Sequence, residues 1–301
     1  MRLASVETDA GTCIGLVNID DGSVAVLPAA VGTLDEAVKA GLDRVRSLAD
    51  HAATAHVRPL DEVRLGPPLR RLNRDVLCTG WNYWDHFEES TGKREGQDPV
   101  EPPRHPTFFT KSPDTIIGPH DDISYDGELS AAWDYEAEVA LVVGRTGRSI
   151  PESQAMSHVL GLCIANDVSQ RDLQRRHGGQ WLKGKSIDAT MPLGPWITTL
   201  DEIDDVARLH IECVLNTQRV QSATTAQMAF DMPALIAELS WGMSLRAGDL
   251  LLTGTPSGVG NAREPQLFLG PGDRLVTSVT GLGELRNTVA ARPLTTYSTD
   301  S

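Results

Sequence analysis

Cysteine is scarce in this chain of 301 residues, and the four cysteines stand far apart, with no CxxC pair among them. This spacing argues against a disulfide scaffold and against a cysteine zinc site, and it favours a reducing compartment. Long hydrophobic runs are missing too, since none approaches the roughly 20 residues that cross a bilayer. Residues 1–12 carry charged side chains and no apolar segment of the kind found in signal peptides. The sequence therefore predicts a cytoplasmic protein.

Positive charge is also in short supply. The chain has 27 Lys and Arg residues against 41 Asp and Glu residues, which gives a net charge of -14. Binding to nucleic acid requires clustered cations, and so does attraction to an anionic membrane surface. The composition therefore predicts that neither nucleic acid nor membrane is a partner and leaves small molecules as the expected ligands.

Three frequent catalytic sequence patterns are absent as well. The chain has no G-x-S-x-G nucleophile elbow and no dinucleotide-binding fingerprint after an N-terminal strand. The glycine-rich residues 252–260, LTGTPSGVG, follow a predicted strand but lack the Gly-Lys-Ser/Thr ending of a P-loop. Their backbone amides suit either the binding of a carboxylate or a plain tight turn.

The chain divides into a small first unit and a larger second one. Residues 1–65 predict a small N-terminal α+β domain, with strands at 2–6 and 12–18. Thr33 and Glu36 have the spacing of a capping box, and apolar residues then recur at helical intervals over 34–52.

Residues 70–301 consist mainly of short strand-like runs separated by Gly, Pro and Asp turns. Helical patterns are fewer, and two of them lie at 151–160 and 233–243. Many strands with few helices predict a β-rich α+β fold, in which the larger domain is a roll or a sandwich.

Two glutamates lie at the start of a predicted strand, in the sequence Asp134-Tyr-Glu136-Ala-Glu138-Val-Ala-Leu-Val-Val143. Side chains alternate between the faces of a strand, so Glu136 and Glu138 point the same way. Both faces become apolar within two residues, which indicates burial on both sides. Two such carboxylates repel each other and lose hydration, and a hard divalent cation relieves both problems. The alternative is an exposed strand end.

A second apolar run, residues 160–166, leads directly into Asp167. A third oxygen donor at a strand end suits an octahedral Mg²⁺ site that keeps waters for substrate. Arg171 and Lys185 follow, and these cations could hold an anionic substrate or could merely balance an acidic surface.

His86 and Glu89 lie three residues apart in the segment 80–89, GWNYWDHFEE, and they share a face if this segment is helical. A histidine oriented by a carboxylate can act as a general base near neutral pH. The alternative is an ordinary solvated helix face.

Taken in order, these motifs resemble those of the fumarylacetoacetate hydrolase superfamily over residues 74–290. The matching motifs are Gly-x-Asn-Tyr-x-x-His-x-x-Glu at 80–89, Glu-x-Glu at Glu136 and Glu138 with the later Asp167, Arg-Asp-x-Gln at Arg171 to Gln174, Lys-Ser-x-Asp at Lys185 to Asp188, Thr-Gly-Thr-Pro-x-Gly-Val-Gly at 253–260, Pro-Gly-Asp at 271–273 and Gly-Leu-Gly-x-Leu-x-Asn at 281–287. Each motif alone is weak, but their number, order and spacing together are specific.

The resemblance implies a roll or sandwich around one divalent metal, Mg²⁺ or Mn²⁺, usually in a homodimer with a small N-terminal domain. It implies the following roles: metal ligands Glu136, Glu138 and Asp167; catalytic residues His86, Glu89 and Lys185; substrate-binding residues Tyr83, Arg171, Gln174, Gly254 and Thr255.

The implied activity is metal-dependent hydrolysis of a carbon–carbon bond in a 2,4-dioxo acid, such as an acylpyruvate, through an enolate that the metal stabilises. In that reaction His86 activates the attacking water. Decarboxylation of an oxaloacetate-like acid, hydration or isomerisation of a 2-oxo-alkenoate, and tautomerisation are alternatives on the same site. A non-catalytic metal-binding scaffold is a further alternative, but it predicts a damaged site, and these positions are intact.

The sequence departs from the family pattern around His86. Trp81 and Trp84 stand where smaller residues are common, and residues 90–105 form a long extension rich in Gly and Pro. With Tyr83 and Phe87 they predict either ordinary packing of a short helix or a lid that closes over the site. Thr280 replaces a Glu that often precedes the Gly-Leu-Gly turn. These departures bear on the identity of the substrate rather than on the metal ligands or the base.

Overall fold

The computed structural model describes residues 1–9, 11–93 and 98–296, and most of its regular structure is strand. In chain order the strands are β1 Arg2–Thr8, β2 Gly11–Asn18, β3 Ser23–Val26, β4 His56–Pro59, β5 Arg64–Gly66, β6 Val76–Gly80, β7 Thr107–Lys111, β8 Ile116–Ile117, β9 Ile123–Tyr125, β10 Trp133–Asp134, β11 Ala137–Val143, β12 Gly147–Arg148, β13 Val159–Asn166, β14 Ser169–Gln170, β15 Met191–Thr199, β16 His210–Leu215, β17 Gln218–Thr224, β18 Ser244–Leu245, β19 Leu250–Leu252, β20 Arg274–Val279 and β21 Gly283–Ala291.

The helices are short. The α-helices are α1 Leu34–Lys39, α2 Leu42–Arg46, α3 Trp84–Glu89, α4 Arg171–Arg176, α5 Leu182–Lys185 and α6 Met232–Ser240. Turns of 3-10 helix lie at Ala29–Val31, Ser47–Thr54, Leu60–Glu62, Pro113–Thr115, Glu152–His158, Leu200–Glu202, Val206–Arg208, Thr225–Gln227 and Gly260–Ala262. Among the described residues, no helix has the length and apolar character that crossing a membrane requires.

One large sheet runs through the molecule in the order β4-β3-β2-β1-β15-β13-β11-β19-β6-β7, with β5 and β8 attached to β1 and β15. The N-terminal strands join it because β1 pairs with β15, with Leu3 opposite Ile197. The first unit also shares a hydrophobic core with the rest of the chain, since Leu3 and Leu34 belong to the same buried cluster as Ala140 and Leu193.

A second sheet, in the order β17-β16-β20-β21-β9, packs against the β11–β13–β15 part of the first one. Between the two sheets lies a buried cluster that includes Val139, Leu162, Ile211, Leu275 and Leu285. This arrangement confirms the β-rich α+β sandwich predicted from the sequence.

Strand β11 is buried on both faces, as its residue pattern predicted. Val139 and Leu141 pack between the two sheets, whereas Ala140 and Val142 pack in the cluster on the other face. Burial of a side chain of this size stabilises the fold by ~1.5–3 kcal/mol, so β11 is firmly held. Glu138, within this strand, is 1% exposed, which excludes the exposed strand end.

The continuous helix predicted over 34–52 is wrong. The Thr33–Glu36 capping box is present and starts α1. The helix stops early because Gly41 adopts a φ of 95°, a left-handed conformation that an α-helix cannot contain. The chain then forms α2 and the 3-10 segment Ser47–Thr54.

The other two predicted helices have different outcomes. The segment predicted at 151–160 is a 3-10 helix over Glu152–His158, and β13 begins immediately after it. The helix predicted at 233–243 is confirmed as α6 up to Ser240, and its predicted last three residues lie beyond the helix. The Asp231 side chain caps α6 by accepting from the Ala234 amide.

Because residues 1–65 share a sheet and a core with residues 70–301, we expect both units to unfold in one transition. Leu34→Ala truncates a side chain that is 1% exposed. It should lower the unfolding free energy of the whole chain by ~2–5 kcal/mol. Val57→Ala, at a position 69% exposed, is the matched control and should have little effect.

Differential scanning calorimetry measures this directly, and one peak with equal calorimetric and van't Hoff enthalpies is expected. A separate early peak that Leu34→Ala alone displaces would show that the N-terminal unit folds independently.

Candidate active site

The predicted site residues converge at one edge of the large sheet. Strand β11 is antiparallel to β13 and β19, and β19 is parallel to β6. The start of β11 therefore lies beside the ends of the other three strands. The segments that leave β13, β19 and β6 carry Asp167, Gly254 and Trp81, so motifs far apart in sequence meet at one place.

Glu136, Glu138 and Asp167 form a buried carboxylate cluster at this edge. The register that pairs Ala137 with Asn166 sets Glu136 opposite Asp167, whose amide donates to the Glu136 carbonyl at 2.8 Å. One oxygen from each of the three carboxylates lies within 4.8 Å of the others. A donor set made only of oxygens fits a hard divalent cation such as Mg²⁺ or Mn²⁺.

Two buried lysines neutralise part of this cluster. Lys185 Nζ donates to Glu136 Oε2 at 2.7 Å and to Asp167 Oδ2 at 2.8 Å. Lys111 Nζ donates to the other Asp167 oxygen, Oδ1, at 2.7 Å. Burial disfavours the ammonium of Lys185, but Asp167 and Glu136 outweigh that effect and raise its pKa. Lys185 therefore stays charged at neutral pH.

Arg171 is the third cation. Its Nη2 lies 2.7 Å from Glu136 Oε1, and its Nε donates to Asp134 Oδ2 at 2.8 Å. Arg171 is 7% exposed and Lys185 is 2% exposed. The alternative that these residues are surface cations is therefore wrong. Burial opposes the ionisation of Glu136, but Lys185 and Arg171 overcome it and lower the pKa of this carboxyl to about 2.

Glu138 is the carboxylate that remains unbalanced. It forms no ion pair with a Lys or Arg in the part of the chain that the structure describes, and its Oε2 accepts only the Gly254 amide, at 2.6 Å. Burial, together with the negative charges of Asp167 and Glu136, raises the pKa of Glu138 well above its usual value. A bound divalent cation would supply the missing positive charge, so the residues present fit such an ion.

His86 and Glu89 lie one turn apart on α3. His86 Nδ1 is 2.7 Å from Glu89 Oε1, and the second oxygen of Glu89 accepts from the Gly258 amide at 2.7 Å. An ionised carboxylate only accepts hydrogen bonds, so we assign the proton to Nδ1 and the free lone pair to Nε2. His86 is 7% exposed and lines one cavity with Glu136 and Lys185. The solvated-face alternative is therefore excluded.

Several predicted substrate residues surround the same cavity. Gln174 and Thr255 line it, and Gln174 accepts from Arg171 Nη1 at 3.2 Å. The Thr255 hydroxyl donates to the Ala137 carbonyl at 3.0 Å, and the Gly254 amide is held by Glu138. These groups are engaged within the protein, and their contact with substrate stays a prediction.

Tyr83 offers an unused donor. It is 2% exposed, and its hydroxyl has no hydrogen-bond partner among the described residues. Burial and the nearby charge of Glu138 raise the pKa of this phenol, so it stays protonated. Buried polar groups without partners are rare, but Tyr83 is not among the residues that line the cavity, so its contact with substrate stays a prediction.

The chain beyond α3 is fastened to the far side of the cavity. Lys93 Nζ donates to the carbonyls of Asn261, Ala262 and Arg263 at 3.3, 2.9 and 3.2 Å. Residues 94–97, which belong to the predicted lid extension, lie outside the described residues. Closure of that extension over substrate stays a prediction.

Two residues of the site belong to none of the sequence motifs. Lys111 is the first, and its one signal is that three buried carboxylates need more cations than Arg171 and Lys185 provide. Gln221 donates to the Thr255 hydroxyl and to the Pro256 carbonyl, both at 2.8 Å, and it accepts from the Ala137 amide. Nothing in the sequence around Gln221 indicates this contact, because it depends on how the second sheet packs.

Comparison with known proteins identifies the family of this chain. A family model described as "Fumarylacetoacetate (FAA) hydrolase C-terminal" matches residues 75–290, a range that contains every predicted site residue. Among relatives, oxaloacetate tautomerase YisK of Bacillus subtilis (strain 168) is 40% identical over 230 residues, covering 76% of this chain and 74% of the relative.

Comparison with solved structures supports the same family. A fumarylacetoacetate hydrolase from Exiguobacterium antarcticum superposes with a TM-score of 0.83 at 35% identity, over 97% of this chain and 100% of the other. A maleylpyruvate hydrolase from Sphingobium sp. SYK-6, in complex with manganese (II) ion and pyruvate, gives a TM-score of 0.78 at 26% identity, over 97% and 100% of the two chains.

The unequal pairing of Glu136 and Glu138 predicts that their substitutions have unequal effects on the stability of the metal-free protein. Glu136→Gln removes one of the two carboxylate partners of both Lys185 and Arg171 and should destabilise the fold by about 3–5 kcal/mol. Glu138→Gln replaces a carboxyl whose ionisation burial already opposes, so it should cost little. Added Mn²⁺ should raise the melting temperature of the wild type but not that of Glu138→Gln. Thermal melts in EDTA and in Mn²⁺ measure both effects, and equal losses for the two variants in EDTA would contradict this charge assignment.

The backbone conformation of Trp81 predicts an unusual order of stability for two substitutions at this position. Its φ is 58°, in the left-handed region. A Cβ in that region costs about 1–2 kcal/mol. Trp81→Gly should therefore be more stable than Trp81→Ala. The same pair at the exposed helical position Glu88 is the control, where alanine should be favoured. Urea denaturation compares the four variants, and alanine favoured at position 81 would contradict the left-handed backbone.

Proposed function

Because this chain belongs to the fumarylacetoacetate hydrolase family, we propose that it is a divalent-metal-dependent enzyme that interconverts the enol and keto forms of a small 2-oxo acid, with oxaloacetate as the representative substrate. The observation that carries the proposal is the buried cluster of Glu136, Glu138 and Asp167 beside the His86–Glu89 pair. The similarity to an oxaloacetate tautomerase supports the choice of reaction.

A cation held by the three carboxylates would supply Lewis acidity to the carboxylate and 2-oxo oxygens of the substrate. His86 Nε2 is the group of the chain that can take a proton from C3 of the keto acid or return one to it. The enol oxygen exchanges its proton with water. An imidazole nitrogen can both accept and donate a proton, which suits transfer in both directions. Glu89 holds the Nδ1–H and keeps this tautomer.

Lys185 and Arg171 act on the same step in two ways. They keep Glu136 ionised, and they line the cavity in which the 2-oxo oxygen gains negative charge. Fixed cations near a developing oxyanion stabilise it most in a site with little water. Phe109 and Trp181 line the cavity as well and limit the entry of water.

Hydrolysis of a carbon–carbon bond in a 2,4-dioxo acid, the reaction expected from the sequence, is the second candidate. The His86–Glu89 pair favours it, because the same imidazole could activate water for attack on a distal carbonyl. The manganese and pyruvate in the maleylpyruvate hydrolase structure support a related site chemistry. A cytoplasmic location, a homodimer and the choice between Mg²⁺ and Mn²⁺ stay predictions.

The test of this function is the rate at which the ultraviolet absorbance of enol-oxaloacetate decays. The wild type with Mg²⁺ or Mn²⁺ should accelerate it, and excess EDTA should abolish the acceleration. His86→Asn should lower the turnover by ~10²–10⁴, the usual contribution of a general base, without changing the affinity for the metal.

A matched control is His158→Asn. This histidine is half-buried and its Nδ1 contacts the Arg145 carbonyl, away from the carboxylate cluster. The wild-type enzyme is then incubated with an acylpyruvate, and the products are identified by mass spectrometry. If the enzyme releases pyruvate from the acylpyruvate and does not accelerate the tautomerisation of oxaloacetate, hydrolysis replaces tautomerisation as the proposed function. Inactivity towards both substrates would refute the proposal.

A further inference from the structure

Trp81 combines two unfavourable features at the mouth of the cavity. Its backbone is left-handed, with a φ of 58°. Its indole Nε1 is buried and has no hydrogen-bond partner within the described parts of the chain. Strained backbone and unsatisfied donors persist only where the surroundings hold them, and they cluster at functional sites. The contacts of the indole ring are therefore the place to look for a function of Trp81.

That contact is with His86. The indole of Trp81 stacks on the imidazole with 5.2 Å between ring centroids and 22° between the planes. Glu89 meanwhile fixes the edge of the same imidazole through Nδ1 at 2.7 Å. A carboxylate on the edge and an aromatic ring on the face together restrict both the rotation and the tilt of the imidazole.

Resting on the function proposed above, we propose that Trp81 is a positioning residue that holds the ring plane of His86 so that Nε2 faces the substrate. Glu89 alone leaves the imidazole free to pivot about the Nδ1 hydrogen bond. A proton-transfer group displaced by about 1 Å can lose on the order of 10²-fold in rate. The stack is the contact that removes this freedom.

The surroundings hold Trp81 in place. Trp181 meets it edge-on at 6.0 Å, and Phe87 does so at 5.7 Å. Gly80 makes this packing possible, because a Cβ there would lie 2.5 Å from the Trp181 ring. The indole is therefore wedged between these rings and the imidazole.

Aromatic packing of α3, which begins at Trp84, does not explain the left-handed backbone of Trp81. Trp84, on the same helix, packs edge-on against Phe87 and Phe230 at 6.5 and 5.9 Å. Its backbone is helical, so this aromatic packing needs no left-handed residue. Trp84 therefore serves as the matched control: it is an aromatic neighbour with no ring contact to His86 among the described residues.

The kinetic test compares Trp81→Leu, Trp81→Phe and Trp84→Leu. Trp81→Leu should lower kcat by roughly 10- to 100-fold with little change in KM, because orientation rather than binding is lost. Trp81→Phe keeps an aromatic face and should restore most of kcat, while Trp84→Leu should leave it unchanged. In a His86→Asn background Trp81→Leu should cause no further loss, because both changes act through one group. An equal further loss in that background, or a full kcat in Trp81→Leu, would overturn the proposal.

A second measurement does not depend on turnover. In protein labelled with ¹³C at histidine Cε1, the proton on Cε1 of His86 should show an upfield shift caused by the ring current of the Trp81 indole. Trp81→Leu should abolish this shift, and Trp84→Leu should preserve it. An inactive wild type that shows this shift would refute the proposed function while leaving the stack intact. A His86 signal that Trp81→Leu does not move would refute the stack, whatever the activity.

Discussion

Burial of four carboxylates at one sheet edge is the constraint on which the rest of the site depends. Asp134, Glu136 and Asp167 are paired with Arg171, Lys185 and Lys111, whereas Glu138 is left with a single backbone amide. Isolated buried charges are strongly unfavourable, so such a cluster persists only if partners surround it. The chain therefore devotes three buried cations to this edge and still leaves one more negative than positive charge. That surplus favours the proposed binding of a cation over a closed salt-bridge network.

The 253–260 loop links the two halves of the site. Its Gly254 amide binds Glu138, and its Gly258 amide binds Glu89, which in turn holds His86. The predicted metal ligands and the predicted base are thus positioned by one loop that follows β19. Gly258 has a φ of 107°, and a Cβ there would lie 2.1 Å from the Val220 carbonyl, so only glycine fits. The loop cradles carboxylates of the protein itself, which explains a glycine-rich motif without a P-loop lysine.

The sequence could predict those parts of the site that depend on local order. Side-chain alternation put Glu136 and Glu138 on one face, and the spacing of His86 and Glu89 put them on one helix turn. It could not predict Lys111 or Gln221, because their contacts arise from strands brought together only by the sheet topology. The helix over 34–52 was wrong because a single left-handed glycine overrides a long apolar periodicity. The sequence also could not show whether residues 1–65 fold independently of the rest. That depends on the pairing of β1 with β15, which is distant in the chain.

The proposed function depends on the surplus negative charge around Glu138, which would hold a divalent metal where a 2-oxo acid binds. The most direct measurement is a crystal structure of the protein with Mn²⁺ and oxalate, with anomalous scattering data collected to locate the manganese. The account predicts a single strong anomalous peak within ligand distance, ~2.0–2.3 Å, of oxygens from Glu136, Glu138 and Asp167, with oxalate beside it and near His86. Manganese bound elsewhere, or oxalate bound with no metal at these carboxylates, would contradict the account.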